Sequence, residues 1–228
     1  EYSIVNGIVR LDPAIAAAVA DGCVALGITD QMNIFGGLRF YSHAIAAGIK
    51  PIVGCDLWVT NPDENRADSP YRLTVYCQNH AGYLSLCSLL TRGWLEWLTP
   101  ESCQGLIALS GGPKGLVEVK LMEKKAAEAL EQASFLQSVF PDRFYLEVQR
   151  AGRKGDEVLV SRVANLAVKR GIPVVATHPV MFLKREEFKA HEARVCIATG
   201  RVMADSTRPH DFTPEQYMKT AREMHELF

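Results

Sequence analysis

The chain has 228 residues, a formal net charge of −1 and a sequence pI near 6.7. Hydrophobic residues make up 48% and charged residues 22%, a balance typical of a globular protein rather than a disordered chain. The lack of a basic excess argues against tight nucleic-acid binding by this segment alone, and no apolar run is long enough to span a membrane. The six cysteines form no CxxC pair, so we interpret them as free thiols and expect a cytoplasmic protein.

Apolar runs of strand length alternate with segments of helical periodicity along the chain. The predicted strands cover residues 23–29, 50–60, 72–77, 105–110, 143–149 and 173–177, with one more expected within 1–10. The predicted helices cover residues 13–21, 35–47, 80–92, 124–139, 156–170, 185–198 and 214–227. The second helix has an apolar face made of Leu38, Tyr41, Ile45 and Ala46. The last helix is predicted to begin at a capping box that runs from Thr213 to Gln216.

Strands that alternate with helices predict crossover units around a parallel sheet. The strands are apolar along most of their length, as expected where both faces of a sheet are buried. Six or seven such units fit one α/β barrel better than two domains. No GxGxxG follows a strand, which argues against dinucleotide binding, and the polar segment 60–71 is predicted to be an exposed loop.

Polar residues at the carboxyl ends of the predicted strands are the candidates for chemistry, because active sites of parallel barrels lie there. Those ends offer Asp30, Asp56, Glu147 and one histidine, His178. A centre with two or three metal ions needs more histidine and carboxylate donors than these. We interpret Asp30 as a loop-capping residue and His178 as hydrogen-bonded scaffold. Asp56 has two open interpretations, a structural ion pair with Arg72 or a residual metal ligand.

Several segments together resemble one family. They are EYSIVNGIVR (1–10), ITDQMNIFGGLRFYSHAIAAGIKPIVGCDLWV (28–59), GYLSLCSLLTRG (82–93), GLIALSGG (105–112), FPDRFYLEVQRAG (140–152), GIPVVATHPVMFL (171–183) and AHEARVCIATG (190–200). In this order they resemble the N-terminal PHP (polymerase and histidinol phosphatase) domain of bacterial DNA polymerase III alpha subunits. The resemblance spans almost the whole chain. It implies a distorted, TIM-like (β/α)7 barrel of the PHP fold and a single PHP domain over residues 1–228 of a larger chain.

Active members of this family bind metal ions through histidines and acids at the strand ends, and the resemblance implies where those ligands would stand. The eight positions hold Asn6, Gln31, Asp56, Arg72, Gly112, Ala151, Pro179 and Met181. Only Asp56 keeps a metal-binding side chain, and Arg72 puts a cation where a histidine would stand. The family's HxH pair would stand before Glu1. The resemblance therefore implies a vestigial cleft that binds no metal and has no catalytic residue.

The resemblance also implies a function, that of a non-catalytic domain in a DNA-directed DNA polymerase, which is a nucleotidyltransferase of DNA replication. The domain would brace the polymerase core and dock the proofreading exonuclease, the epsilon subunit. Its other partners would be the remaining domains of the alpha chain and, through the holoenzyme, DNA, with no membrane. No cofactor is expected in this segment, whereas the parent polymerase would use Mg²⁺ bound beyond Phe228.

Two other functions stay open. An active metal-dependent PHP phosphoesterase or 3'-5' exonuclease would need a histidine-rich cluster, and an unrelated barrel enzyme such as a lyase would need a lysine or carboxylate pair at the strand ends. Relatives of this kind usually carry a longer polar insertion where this chain has residues 94–104. Either the chain is naturally short there or a loop near 93–98 has been left out of the numbering.

Overall fold

The computed structural model describes residues 2–3, 6–60, 69–93, 98–205 and 207–228. Its strands are β1 (Ala25–Gln31), β2 (Lys50–Val59), β3 (Tyr71–Cys77), β4 (Leu106–Leu109), β5 (Phe144–Gln149) and β6 (Val174–Thr177). Its α-helices are α1 (Leu11–Ala20), α2 (Gly37–Ala46), α3 (His80–Arg92), α4 (Leu116–Met122), α5 (Ala126–Val139), α6 (Asp156–Arg170), α7 (Phe188–Thr199) and α8 (Ala221–Leu227). Within these ranges, no helix has the length and apolar character needed to cross a membrane.

Two predictions fall partly on residues outside the described ranges. Most of the loop predicted at 60–71 lies at positions 61–68, and the loop suspected near 93–98 lies at positions 94–97. The six strands predicted from apolar runs all have a counterpart in the structure, each within a few residues of its predicted bounds.

The strands form one curled, six-stranded sheet in sequential order from β1 to β6. The pairs β1–β2, β4–β5 and β5–β6 are parallel, as predicted, whereas β3 is antiparallel to both β2 and β4. The prediction of an all-parallel sheet was therefore wrong at β3. The physical reason is the connection over 60–70, which is too short for the helical crossover that a parallel pair requires.

The open side of the half-barrel, between β1 and β6, is bridged by irregular segments. The Ile8 N–H donates to the Met181 carbonyl at 2.8 Å, and the Met181 N–H donates to the Gln216 carbonyl at 2.8 Å. Phe182 and Tyr217 form an isolated parallel bridge beside these bonds. The described residues at the start of the chain contribute such single bonds and no strand. We call the described residues of the three segments the seam: 2–3 with 6–10, 178–183 and 213–218.

One helix of the structure was not predicted, and another begins several residues later than predicted. The Gly-rich turn after β4 leads into α4, which was not predicted and which precedes the expected helix now assigned as α5. At the other end, α8 begins at Ala221, because the working capping box is formed by Thr220 and Glu223. Thr213 and Gln216 form a turn instead, in which the Thr213 N–H donates to Gln216 Oε1 at 2.8 Å.

Apolar side chains form two buried clusters. The larger lies between the sheet and helices α3 to α6, and the smaller lies under α1 and α2. In α2 the buried side chains are Phe40 and Ala44, so the apolar face predicted from Leu38, Tyr41, Ile45 and Ala46 is the exposed one.

Candidate functional site

The antiparallel direction of β3 brings charged residues to one edge of the sheet. Asp56 lies in the second half of β2, Arg72 near the start of β3, and Glu147 in the second half of β5. Because β3 runs against its neighbours, its beginning lies beside their carboxyl ends, and Asp56 faces Thr74 across the β2–β3 ladder. This edge is where a barrel of this class would carry its chemistry.

Arg72 lies between a partly buried carboxylate, that of Asp56, and a buried one, that of Glu147. Its Nη1 is 3.5 Å from Asp56 Oδ2, its Nη2 is 3.5 Å from Glu147 Oε1, and its Nε–H donates to the Gly111 carbonyl at 2.7 Å. The ion pair with Asp56 is one of the two interpretations that the sequence left open for that residue. We call the following residues the Arg72 cluster: Asp56, Arg72, Thr74, Ser110, Glu118, Glu147 and Gln149.

Neutral side chains also donate to one oxygen of each carboxylate, whereas Glu147 Oε2 is buried with no hydrogen-bond partner among the described residues. The Thr74 hydroxyl donates to Asp56 Oδ1 at 2.7 Å. Glu147 Oε1 accepts from Gln149 Nε2 at 2.7 Å and from the Thr177 hydroxyl. Gln149 Oε1 in turn accepts from Arg153 Nη2 at 3.2 Å. The network therefore crosses from β2 to β6 over the end of the half-barrel.

Burial and charge act in opposite directions on the ionisable groups of the cluster. Burial raises the pKa of the Asp56 carboxyl, and Arg72 and Thr74 oppose that shift without cancelling it. Burial alone would lower the pKa of the Arg72 guanidinium, but the Asp56 and Glu147 carboxylates outweigh burial and raise it. Arg72 is thus held in its charged form.

Glu118 is a member of the cluster that the sequence analysis missed. It is fully buried in the first turn of α4, and the Ser110 hydroxyl donates to its Oε1. Burial raises the pKa of the Glu118 carboxyl to about 8, so this side chain is largely neutral at neutral pH. The available signal was a single acid inside the apolar run LVEVKLM, which is unusual on a buried helix face.

Gly112 leaves space for the cluster. Its φ is +59°, and a Cβ built there would lie 3.1 Å from Arg72 Nη2 and 3.1 Å from the Gln149 amide. A side chain at this position would crowd the end of the Arg72 side chain, which would have to shift by a few tenths of an ångström. The absence of a side chain at position 112 therefore leaves room for the arginine at position 72.

Asn6 and Gln31 meet at the other side of the cleft, where β1 reaches the seam. Asn6 Nδ2 donates to Gln31 Oε1 at 2.6 Å, and the Asn6 carbonyl bonds His191 Nε2 at 2.7 Å. The Ser3 hydroxyl donates to Asp30 Oδ1 at 2.7 Å and accepts from the Gln31 N–H at 2.9 Å. The Asp30 side chain thus bonds a residue of the seam, and its role as a loop-capping residue stays a prediction.

The last three predicted positions contribute backbone rather than side-chain chemistry. The Ala151 N–H donates to Asp156 Oδ2 at 2.7 Å, Pro179 is buried, and Met181 forms the backbone bonds of the seam. The structure does not bring their side chains into the Arg72 cluster as bonding partners.

Two histidines hold the seam through backbone carbonyls. His178 Nε2 bonds the Glu215 carbonyl at 2.8 Å, in keeping with the scaffold interpretation. His191 on α7 is fully buried between Phe182 and Phe212. Burial lowers the pKa of both imidazoles. Among the residues that the structure describes, no group of three or more His, Cys, Asp or Glu side chains is placed to hold a metal ion.

Comparison with known proteins identifies relatives over the whole chain. A family model described as the PHP domain matches residues 1–151. The DNA polymerase III subunit alpha of Pseudomonas fluorescens is 42% identical over 241 residues, which cover 100% of this chain and 20% of that protein. The corresponding subunit of Escherichia coli K12 is 38% identical, again over 100% of this chain and 20% of that protein. The chain thus spans about a fifth of the length of these curated relatives.

A solved structure supports the fold alone. A Bifidobacterium adolescentis protein whose crystal structure is described as that of a metal-dependent phosphoesterase has a TM-score of 0.50 and 9% identity, covering 76% of this chain and 83% of its own. At this identity the likeness extends to the α/β architecture and no further. The family match and the full-length identities decide the relationship: this chain belongs to the PHP domain family and is homologous to DNA polymerase III alpha subunits.

Proposed function

We propose that this chain is a PHP domain of a replicative DNA polymerase III alpha subunit and that its own metal-dependent activity has been lost. The domain braces the polymerase core and docks the proofreading exonuclease, the epsilon subunit. It acts in the cytoplasm within a chain whose polymerase centre uses Mg²⁺ and handles DNA. In this domain the six-stranded sheet and the seam take the place of the seven-stranded (β/α)7 barrel that the family resemblance implies.

The observation that carries the proposal is the position of the Arg72 guanidinium. It lies 3.5 Å from both Asp56 Oδ2 and Glu147 Oε1, the carboxylates that a metal ion at this edge would need. A fixed positive charge at that distance repels a divalent cation and already neutralises the acids. The residues present therefore do not fit a cluster of divalent ions.

The remaining family ligand positions support the same proposal. Asn6 and Gln31 bond each other as neutral amides, and their oxygens bind transition-metal ions more weakly than the histidine and carboxylate ligands of catalytic sites. Gly112 has no side chain, and the cleft is instead crossed by hydrogen bonds among protein groups. A polar network of this kind is a structural brace, because each member is fixed by its partners.

Metal analysis tests the loss of activity. We expect the purified polymerase chain that carries this domain to contain far less than one equivalent of zinc, manganese or iron after gel filtration. We also expect Asp56→Asn, which removes the one acid that stands at a family ligand position, to change no phosphodiester hydrolysis. Near-stoichiometric transition metal, or Mn²⁺-dependent hydrolysis abolished by Asp56→Asn, would favour the active phosphoesterase or exonuclease instead.

Capture of the epsilon exonuclease tests the docking role. We expect the chain to retain the exonuclease equally with and without a chelator, because no structural metal is proposed in the domain. Loss of capture in the chelator would argue for such a metal. No retention under either condition would remove the docking role and leave the bracing role.

A further inference from the structure

Helix α2 exposes a continuous apolar stripe on the side away from the core. Four large side chains, which we call the α2 stripe, have relative exposures of 78%, 80%, 53% and 55% and are Phe35, Leu38, Tyr41 and Ile45. Leu38, Tyr41 and Ile45 are spaced by three and four residues, which puts them on one face of α2, and Phe35 lies in the turn that leads into the helix. Single exposed apolar residues are common on protein surfaces, but a group of four large ones close together is not.

The stripe cannot be the core-facing side of α2, because that side is already occupied. Phe40 and Ala44 on the opposite face are 1% and 0% exposed and pack in the smaller hydrophobic cluster. A helix that is apolar on both faces is normally covered on both. We therefore expect the exposed face of α2 to pack against a second surface, which the described residues do not provide.

The charges of α2 do not point to a charged partner. Arg39 Nη2 lies 2.7 Å and His43 Nδ1 lies 2.5 Å from the carboxylate of Asp12 on α1. The two basic groups of the helix are thus matched inside the domain. The stripe itself has no ionisable side chain other than the Tyr41 phenol, so its complement is an uncharged apolar surface.

The area of the stripe distinguishes between a second copy of this chain and a larger partner. At about 200 Å² for a fully exposed aromatic side chain, the four side chains expose on the order of 500 Å², close to the upper end for the largest patch on a monomer. A stable interface takes about 800 Å² from each partner. The stripe is too small to hold two copies together and is the right size for the apolar core of a wider interface.

We infer that the α2 stripe packs against an apolar helix face of another domain of the polymerase III alpha chain. This inference rests on the proposed function. The relatives carry this domain in chains about five times as long, so such a surface is covalently tethered beside it at high effective concentration. Spacings of three and four residues suit the ridges-into-grooves packing of two helices.

Hydroxyl-radical footprinting of the full-length polymerase chain that carries this domain tests the inference. The reaction reports side-chain exposure directly, and Tyr83 on α3, 42% exposed, is the matched control for Tyr41. We expect Tyr41 and Phe35 to be modified severalfold more slowly than Tyr83, although both are more exposed than it is within this domain. Leu38→Lys should restore the modification of Tyr41, whereas Val168→Lys, at an 85% exposed position on α6, should not.

Three outcomes overturn the inference. Tyr41 modified as fast as Tyr83 means that nothing covers the stripe. Protection that appears only when the exonuclease is added assigns the surface to that subunit, and protection that rises with protein concentration assigns it to a second copy. None of these touches the proposed function, which fails separately if the full-length chain shows neither polymerase activity nor retention of the exonuclease.

Discussion

The Arg72 cluster and the seam close the same end of the sheet by different means. In the cluster, buried charges meet one another, with Arg72 held between Asp56 and Glu147. In the seam, the contacts are mainly hydrogen bonds between neutral groups, such as the bond from Asn6 to Gln31 and the bond between His191 and the Asn6 carbonyl. Both regions contain positions where the family resemblance implies metal ligands.

This difference predicts where a substitution should lower the free energy of unfolding most. Removing one partner of a buried ion pair leaves a charge that is costly to bury alone. Removing one partner of a neutral hydrogen bond at a half-buried site leaves a group that water can reach. We therefore expect large effects in the Arg72 cluster and small, local effects in the seam.

Arg72→Met is expected to have the largest effect. It leaves the Asp56 and Glu147 carboxylates buried without a cation, and we expect the free energy of unfolding to fall by about 3–5 kcal/mol. Arg72→Lys keeps the charge but not the bond from Nε to the Gly111 carbonyl, so its loss should be smaller. Denaturant unfolding of both variants measures this. A loss in Arg72→Met below about 1 kcal/mol would place the pair with ordinary surface ion pairs.

Glu118 is expected to make stability depend on pH. Its pKa is about 8 in the folded chain against an ordinary value of 4.5 for glutamate, so the folded state keeps a proton that the unfolded state releases. Stability therefore falls as pH rises between these two values, by about 2–3 kcal/mol over two pH units if Glu118 acts alone.

The matched variant for this effect is Glu118→Gln, which keeps the size of the side chain and cannot ionise. We expect the variant to lose the downward slope, so that it gains on the parent protein as pH rises from about 5.5 to about 7.5. Unfolding free energies of the two proteins across this range give the difference directly. Parallel curves would mean that Glu118 is charged in the folded state.

The strands were predictable because their signal is local. Runs such as GLIALS and PVVAT are apolar along most of their length, and such runs occur in buried strands whatever the rest of the chain does. The direction of β3 was not predictable in this way, since the apolar pattern is the same for parallel and antiparallel strands. Only the short link over 60–70 contained that information.

The site was predictable in its composition and less so in its connections. The pairing of Asp56 with Arg72 was foreseen as one of two interpretations, because an acid at a strand end needs a partner. Glu118 was missed, and so was its bond from Ser110, because both depend on how α4 packs over the sheet. Sequence patterns give which face a residue occupies, whereas such contacts depend on tertiary packing.

Comparing Gly112→Ala with Gly22→Ala separates the cost of backbone strain from the cost of crowding in the Arg72 cluster. Gly112 and Gly22 both have positive φ, +59° and +74°, but only a Cβ at Gly112 would meet other atoms. Gly22→Ala should therefore cost strain alone, about 1 kcal/mol. We expect Gly112→Ala to cost a further 1–2 kcal/mol or so, as in other overpacked cores.

A double-mutant cycle shows whether Arg72 causes the excess. In an Arg72→Met background, the added Cβ no longer meets Nη2, so the penalty of Gly112→Ala should fall towards that of Gly22→Ala. Unfolding free energies of the single and double variants give the coupling. Purely additive losses would mean that Gln149, the other neighbour of the site, sets the penalty.

Asn6→Ala should have the smallest effect, because it removes one neutral bond, 2.6 Å long, to Gln31 in the seam. We expect the free energy of unfolding to fall by about 0.5–1.5 kcal/mol. Hydrogen exchange at the Ile8 amide, which bonds the Met181 carbonyl, should speed up more than exchange in β2 or β5, since the seam opens locally. Ser85→Ala, which removes a bond to the Gln104 carbonyl on the surface, is the control and should leave Ile8 unchanged. If Asn6→Ala costs as much as Arg72→Met, the seam is as strongly coupled as the cluster, and the contrast between charged and neutral closure is wrong.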